Sequence, residues 1–299
     1  MQADEGLPQM GLTPGAGAGR TPLESESRTK TLHVTGITAG YGQTPVIQDI
    51  SIGCEEGGIA AIVGPNGSGK STLLKTLAGL LKPRSGVVWL QGVAVTGLRP
   101  EILARKGLAY VPQTREIFPS LTVAENLEMG GYTLRGNVRS QREKVLEILP
   151  DLKPILGAIA GNLSGGQRKL LGIGRVLMIE PVVLLLDEPT ASLSPAAASM
   201  VWANVRTIAA RGTAVVVVEQ RTRSVLAAAD WAYVIVAGRN LLEGSARTVL
   251  EHPEIGSMFL GSGRAKLGPA LPENLAPAKP EHLTPAMPAD LTTSNGGSS

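Results

Sequence analysis

Residues 64–71 read GPNGSGKS, a glycine-rich segment that ends in a lysine and a serine. The apolar run IAAIV precedes it and the helix-like run STLLKTLAGLL follows it, which is the context of a P-loop. In such a loop, glycine N–H groups turn toward phosphate oxygens, Lys70 faces the β- and γ-phosphates, and Ser71 can ligate Mg²⁺. The segment therefore predicts a nucleoside triphosphate site. Its expected nucleotide-binding residues are Gly64, Pro65, Asn66, Gly67, Ser68, Gly69, Lys70, Ser71 and Thr72.

Two adjacent acids follow a second apolar run, in VVLLLDEP at residues 182–189. A buried strand here would deliver Asp187 to the carboxyl edge of the sheet, where it can hold Mg²⁺ directly or through water. Because successive strand residues point to opposite faces, we expect the strand to end here, with Glu188 turned toward the γ-phosphate to polarise the attacking water. In isolation the pair would only start a loop after a core strand. Beside the P-loop it indicates a hydrolytic site.

The elements that must position these residues lie in a body from about residue 30 to 262. It opens with strand-like segments, TLHVTGITAGYG and PVIQDISIGC, for which we expect an antiparallel β subdomain. Buried-strand runs then alternate with helical stretches, which predicts the α/β fold of a P-loop NTPase core, a mostly parallel sheet with flanking helices. From about residue 115 to 162 helical spacing predicts a short helical subdomain. Residues 1–29 and 263–299 are expected to be disordered tails, the second rich in Pro and Ala.

The composition excludes several other classes of protein. Aromatic residues make up 3% of the chain, which leaves little for base stacking, and the net charge of +3 gives no basic footprint, so we expect no nucleic-acid partner. Cys54 is the single cysteine and reads as a half-buried small hydrophobe in a reducing compartment. No apolar run reaches about 18 residues and the N-terminus lacks a basic-then-apolar start, so we expect a cytoplasmic chain that does not cross a membrane.

The segment LSGGQ at residues 163–167 precedes the helix-like run QRKLLGIGRVLM and lies 20 residues before Asp187. A serine there can cap the helix, while the glycines leave backbone N–H groups open to an anion; an ordinary capped helix would explain the serine but not the paired glycines. Beside the P-loop, LSGGQ resembles the signature motif of ABC-type ATPases, and the resemblance covers about residues 31–261. It implies that the chain binds ATP and Mg²⁺ and hydrolyses the ATP. The signature residues expected to contact ATP are Ser164, Gly165, Gly166 and Gln167.

The resemblance also implies roles for residues that carry no signal alone. Tyr41 in AGYGQTPVI matches the aromatic residue that stacks on adenine in the family. Gln113 in YVPQ matches the glutamine that senses the γ-phosphate and the metal while linking the core to the helical subdomain, so it joins Ser71 and Asp187 as an expected metal residue. Family members pair head to tail, with the signature of one subunit over the P-loop nucleotide of the other. Ser194 departs from the family's pattern, because many members have an aspartate at this interface position.

A second departure narrows the resemblance. The strand TAVVVVE is expected to end in Gln220, where most members have a histidine that contacts the γ-phosphate. A glutamine amide can donate that hydrogen bond but does not titrate near neutral pH, so we expect hydrolysis to survive with less pH dependence from this position. With VPQTREIFPSLTVAENLEMGG and HPEIGSMFLG, this glutamine resembles the branched-chain amino-acid importer ATPases of the LivF type. The urea and short-amide importer ATPases are similar almost as closely.

The resemblance implies several partners. They are transmembrane permease subunits, a second ABC ATPase subunit and, indirectly, an extracytoplasmic solute-binding protein, which would make the chain peripheral on the inner face of the cell membrane. The ATPase pair could be a homodimer or a heterodimer, and the LivF type favours the heterodimer. Two alternatives stay open. An ABC exporter ATPase would differ in its membrane partner, and a non-transport ABC ATPase is opposed by the single P-loop and the short insert.

Overall fold

The computed structural model describes three stretches of the chain, residues 30–114, 116–134 and 136–252. The two expected tails and the end of the expected ATPase body, residues 253–262, lie outside the described residues. Within the described residues two sheets are formed. Their strands are β1 (Lys30–Ala39), β2 (Ile47–Glu55), β3 (Ile59–Val63), β4 (Ser85–Leu90), β5 (Val93–Ala94), β6 (Leu108–Val111), β7 (Val183–Asp187), β8 (Ala214–Val218), β9 (Trp231–Val236) and β10 (Arg239–Ser245).

Each helix contributes apolar residues to one of two cores, which lie on opposite sides of the larger sheet. The helices are α1 (Lys70–Leu77), α2 (Pro100–Arg105), α3 (Val123–Gly130), α4 (Val138–Ile148), α5 (Gly165–Leu177), α6 (Pro195–Ala210), α7 (Thr222–Leu226) and α8 (Ala246–Glu251), with short 3₁₀ helices at Pro150–Ile155 and Ala160–Asn162. Within the described residues, none of these helices combines the length and the apolar character needed to span a bilayer.

The larger sheet has six strands in the order β10-β9-β3-β8-β7-β6, and the smaller one has four in the order β2-β1-β4-β5. In the larger sheet every pairing is parallel except that of β10 with β9, whereas the smaller sheet is antiparallel throughout. The expected α/β fold with a mostly parallel sheet and an antiparallel β subdomain is confirmed.

The larger sheet separates two apolar cores. Along β8, Val215 and Val217 belong to the core shared with α3 to α8, while Val216 and Val218 belong to the core shared with α1 and the smaller sheet. This alternation is the period of two that a strand imposes on its side chains. Because a core covers each face of the sheet, β3, β7 and β8 are apolar at nearly every position.

The stretch expected to be a helical subdomain contains α3, α4 and the two 3₁₀ helices, with one isolated bridge between Thr122 and Ile159. A capping box begins α3, because the Thr122 hydroxyl accepts from the Glu125 N–H and the Glu125 carboxylate accepts from the Thr122 N–H. The division of the chain into domains stays a prediction.

Parallel strands bring the expected site residues to one edge. The P-loop follows β3, Asp187 ends β7, and Gln113 lies two residues beyond β6. One expected boundary was wrong: β8 ends at Val218, and Gln220 lies two residues beyond it rather than at its end. The ladder stops there because the Gln220 N–H donates to the Glu219 carboxylate at 3.1 Å instead of to a neighbouring strand.

Candidate active site

The P-loop uses its glycines for two different purposes. A Cβ on Gly64 would lie 2.1 Å from the backbone oxygen of Ile235, and a Cβ on Gly69 would lie 2.4 Å from a methyl group of Ile47, so these glycines allow close packing. Gly67, with φ +80°, has no atom within 4 Å of the Cβ position and leaves the loop open on that side. The loop is therefore packed near both ends and open beside Gly67, which leaves space for a ligand next to its backbone.

Lys70, the first residue of α1, points back into the loop. Its Nζ donates to the carbonyl oxygens of Gly64, at 2.8 Å, and Pro65, at 2.9 Å. Burial lowers the pKa of the Lys70 ammonium from its ordinary value, and the negative charges of Glu188 and Asp187 act in the opposite direction. The chain therefore places a cation inside the loop, opposite two acids, as expected for a phosphate site.

The next P-loop residue meets the first of the two acids. The Ser71 hydroxyl donates to Oδ1 of Asp187 at 3.0 Å, and the Tyr110 hydroxyl donates to Oδ2 at 3.2 Å. Burial raises the pKa of the Asp187 carboxyl from its ordinary value, while these two hydrogen bonds act to lower it. Two of the three expected metal residues, Ser71 and Asp187, are thus in direct contact.

Tyr110 is a site residue that the sequence did not indicate. It stands on β6 opposite Leu185 of β7, and Asp187 lies two residues further along β7, on the same face of the sheet as Leu185. The tyrosine can therefore reach the carboxylate diagonally. The sequence shows that this tyrosine lies three residues before Gln113, in YVPQ. Its contact with Asp187 could not be predicted without the pairing of β6 with β7.

Glu188 is held between two glutamine amides. Nε2 of Gln113 donates to its Oε2 at 2.6 Å, and Nε2 of Gln220 donates to its Oε1, also at 2.6 Å. The three expected catalytic residues, far apart in sequence, therefore meet at one carboxylate. Gln113, also expected near the metal, contacts Glu188 rather than Asp187 in the described contacts.

The signature segment begins α5, apart from the P-loop. Ser164 is the N-cap, and its hydroxyl accepts from the Gln167 N–H while the Gln167 side chain accepts from the Ser164 N–H. A Cβ on Gly166 would lie 3.1 Å from Cβ of Ala197, and one on Gly165 would lie 3.0 Å from the Leu193 side chain. Packing against α6 and the loop before it therefore accounts for part of the glycine pair that an ordinary capped helix left unexplained. The ATP contacts of this segment stay a prediction.

Two further expected residues have clear positions. Tyr41 lies in the turn between β1 and β2 and is 54% exposed, which leaves its ring accessible; its contact with adenine stays a prediction. Ser194 is the N-cap of α6, and its hydroxyl accepts from the Ala197 N–H. Aspartate and serine are both good N-caps, so the residue found here can do the capping that an aspartate would do.

A buried ion pair links the signature helix to Gln113. Nζ of Lys169, on α5, donates to the Gln113 carbonyl oxygen at 2.7 Å and to the Glu116 carboxylate at 3.0 Å. Burial raises the pKa of the Glu116 carboxyl, while the Lys169 charge lowers it. No pattern in the sequence indicates this link, because it depends on how α5 lies against the loop after β6.

Comparisons with known proteins agree on one family. Residues 47–191 match the family described as ABC transporter. The chain is 38% identical, over 75% of its length and 97% of the relative's, to the high-affinity branched-chain amino acid transport ATP-binding protein BraG of Pseudomonas aeruginosa. It is 37% identical, over 77% and 98%, to the probable branched-chain amino acid transport ATP-binding protein LivF of Archaeoglobus fulgidus.

Solved structures give the same result for the fold. The crystal structure of a nucleotide-free ATP-binding cassette from an ABC transporter superimposes with a TM-score of 0.71 at 30% identity, covering 78% of this chain and all of that one. The ADP conformation of an ATP-binding cassette of an ABC transporter gives the same TM-score of 0.71 at 31% identity, with the same coverage of 78% and 100%.

Proposed function

This chain belongs to the ABC transporter family of ATP-binding proteins, and we propose that it drives uptake of branched-chain amino acids or a related small amide or urea solute. The chain is an ATPase. One observation carries the mechanism: Glu188 and Asp187 lie opposite Lys70 and Ser71, at the mouth of the P-loop. The names of the two branched-chain amino acid relatives support the solute class.

We propose that the P-loop holds the phosphates of ATP through its backbone N–H groups and Nζ of Lys70. Two features support the fit: the loop is open beside Gly67, and the buried Ser68 hydroxyl has no hydrogen-bond partner among the described residues. Ser71 and Asp187 would hold Mg²⁺, since hydroxyl and carboxylate oxygens are the ligands this ion prefers. When bound, the ion would neutralise negative charge on the phosphate oxygens.

Glu188 would orient the attacking water and accept its proton. A carboxylate has about four lone-pair directions, and the two glutamine amides occupy one on each oxygen, so directions remain for a water. The amides of Gln113 and Gln220 would fix the carboxylate in place, so that its orientation need not be established during the reaction. A general base of this kind contributes a factor on the order of 10² to 10⁴ to the rate.

The subunit partners follow from the family at a coarse level: the chain is a subunit of a transporter complex. We propose that a second ABC ATPase supplies the signature segment over this P-loop, in a homodimer or a heterodimer, and that permease subunits hold the pair at the inner face of the membrane. A solute-binding protein outside the membrane would then act only through the permease.

We propose a groove beside the active site as the docking surface for the permease. A cavity of about 600 Å³ opens between α2, the end of β6, α3 and α5. Met129 and Tyr132, which line it, are 45% and 77% exposed, so two large side chains beside the groove are accessible to a partner. Tyr110 and Glu116 also line it, and these two residues contact Asp187 and Lys169. A permease segment seated there would touch residues that contact the site.

The transport assignment is tested by solute uptake in cells that express the full chain with its permease subunits. We expect radiolabelled leucine uptake with the wild type, none with Glu188→Gln, and normal uptake with the control Glu180→Gln, which makes the same change at an exposed ion pair with Lys144. Uptake of urea or acetamide instead of leucine would show that the transported solute is urea or a small amide rather than a branched-chain amino acid. Solute export, or leucine uptake unaffected by Glu188→Gln, would contradict the proposal.

A further inference from the structure

A second glutamate next to the site is fully buried and has no place in the proposed hydrolysis. Glu219 is 1% exposed. Its Oε1 accepts from the Thr190 N–H at 2.8 Å and from the Thr190 hydroxyl at 2.6 Å, and its Oε2 accepts from the Gln220 N–H at 3.1 Å. Within the described residues all of its hydrogen-bond donors are neutral, so burial of this carboxylate is not offset by an ion pair.

These contacts close a ring across the ends of two neighbouring strands. Thr190 lies two residues after Glu188, beyond β7, and Glu219 directly precedes Gln220, beyond β8. The ring runs from Glu188 along the chain to Thr190, across to Glu219, along the peptide to Gln220, and back through the Gln220 amide to Glu188 at 2.6 Å. The loop after β7 and the loop after β8 are therefore fastened together at the carboxylate of Glu219.

We infer that Glu219 is a positioning residue that holds the Gln220 amide on the proposed base Glu188. This inference rests on the roles proposed above for Glu188 and Gln220. Glu219 does not touch the reacting atoms; it acts by fixing the Gln220 backbone N–H on one side and both donors of Thr190 on the other. Thr190 is fully buried, so no water replaces either contact readily.

Position 219 needs a carboxylate because three hydrogen-bond donors face this side chain. Three donors converge on its two oxygens, and a carboxylate accepts at both. Glutamine has one accepting oxygen and one NH₂ group, so either the Gln220 N–H or the two Thr190 donors would face another donor. Glu219→Gln therefore keeps the size of the side chain and breaks one side of the ring.

The experiment measures ATP hydrolysis by the full chain with Mg²⁺ in the variants Glu219→Gln, Gln220→Ala and both together, with Glu180→Gln as the surface control. We expect Glu219→Gln to lower kcat on the order of 10- to 100-fold with KM for ATP near the wild-type value, because a small misplacement affects the chemical step. In the Gln220→Ala background the same change should lower kcat no further, since the group it positions is gone.

Thr190 supplies a second pair of variants in case Glu219→Gln fails to fold, as thermal melting would show. Thr190→Val removes the hydroxyl donor at nearly constant volume, whereas Thr190→Ser keeps it. We expect Thr190→Val to lower kcat without raising KM and Thr190→Ser to restore most of the activity, with both effects absent when Gln220 is alanine.

The outcomes separate this inference from the function on which it rests. If Gln220→Ala slows hydrolysis but Glu219→Gln or Thr190→Val leaves kcat unchanged, the inference fails and the proposed base arrangement stands. If Glu219→Gln or Thr190→Val lowers kcat equally with and without the Gln220 side chain, Glu219 is only a structural fastener and the inference fails. If Gln220→Ala has no effect, the proposed role of Gln220 fails together with the inference.

Discussion

At the scale of single residues, Glu188 combines an unusual backbone with an unusual set of partners. Its φ is 49°, in the left-handed region that residues with a Cβ seldom adopt, and its N–H still donates to the Val218 oxygen at 2.9 Å. Strain of this kind, on the order of 1–3 kcal/mol, concentrates at functional sites. Here it breaks the strand alternation after Asp187, so Glu188 is not directed to the opposite face of the sheet and both carboxylates act on Lys70.

Because the Gln220 amide does not titrate near neutral pH, we expect this position to contribute little to the pH dependence of kcat. Gln220→His should keep hydrolysis measurable, since an imidazole N–H can also donate to Glu188, but kcat should now change through about pH 6.5, where a histidine titrates. The measurement is kcat from pH 5.5 to 8 for the wild type, Gln220→His and the exposed control Gln43→His. An identical profile in all three would argue against contact between position 220 and the reacting groups.

At the scale of elements, glycines in the P-loop and at the start of α5 allow atoms of neighbouring elements to approach the backbone closely. Gly64 and Gly166 adopt negative φ, so their need for glycine is the space their neighbours leave rather than their own conformation. The sequence predicted the P-loop from its pattern and its context. It could not predict that Gly166 packs against Ala197, because that contact joins two helices about 30 residues apart.

A methyl group on Gly64 should disrupt the P-loop. Gly64→Ala would place Cβ 2.1 Å from the Ile235 backbone oxygen, which cannot rotate away. We expect a loss of about 1–3 kcal/mol in the free energy of unfolding and weaker ATP binding. Gly157→Ala, where nothing lies within 4 Å, is the control and should match the wild type in urea denaturation and ATP titration. Equal stability of the two variants would contradict the packing described for β3 and β9.

The capping box of α3 predicts how stability depends on acid. The hydrogen bonds from the Thr122 N–H and hydroxyl lower the pKa of the Glu125 carboxyl from its ordinary value of 4.5. A lowered folded-state pKa means that the stabilisation is present above pH 4.5 and is lost as pH falls through the folded-state pKa. Glu125→Gln keeps an acceptor but cannot titrate.

We therefore expect the stability advantage of the wild type over Glu125→Gln to be constant near neutral pH and to shrink below about pH 4.5. Urea denaturation at a series of pH values measures it, with Glu147→Gln as a control for an exposed glutamate outside a capping box. An advantage that grows in acid would show that the sign of the linkage is wrong.

At the scale of the whole molecule, local sequence patterns predicted the sheet, but contacts that depend on strand order or helix packing could not be predicted. The apolar runs of β3, β7 and β8 predicted a parallel sheet with the P-loop and both acids at its carboxyl edge, because these signals are local. Tyr110, Lys169 and Glu219 were missed. Each of these residues contacts a partner that strand order or helix packing brings close, and a local sequence pattern does not identify that partner.

The groove between α2, α3 and α5 predicts where the transporter assembles. Tyr132→Ser should reduce the amount of permease that co-purifies with the chain while ATP affinity stays at the wild-type value. This side chain is 77% exposed, and among the described residues the P-loop does not line the groove. Tyr41→Ser, at the expected adenine contact, is the converse control: weaker ATP binding with normal co-purification. Normal permease recovery with Tyr132→Ser would exclude the groove as the docking surface.

The chain is an ABC ATPase, and we propose that Glu188 is its hydrolytic base. The most direct test is phosphate release in a single turnover of ATP by the full chain with Mg²⁺, comparing the wild type, Glu188→Gln and the surface control Glu180→Gln. We predict that Glu188→Gln binds ATP as tightly as the wild type but releases phosphate about 10²- to 10⁴-fold more slowly, whereas Glu180→Gln is unchanged. Phosphate release by Glu188→Gln at the wild-type rate would show that Glu188 is not the hydrolytic base.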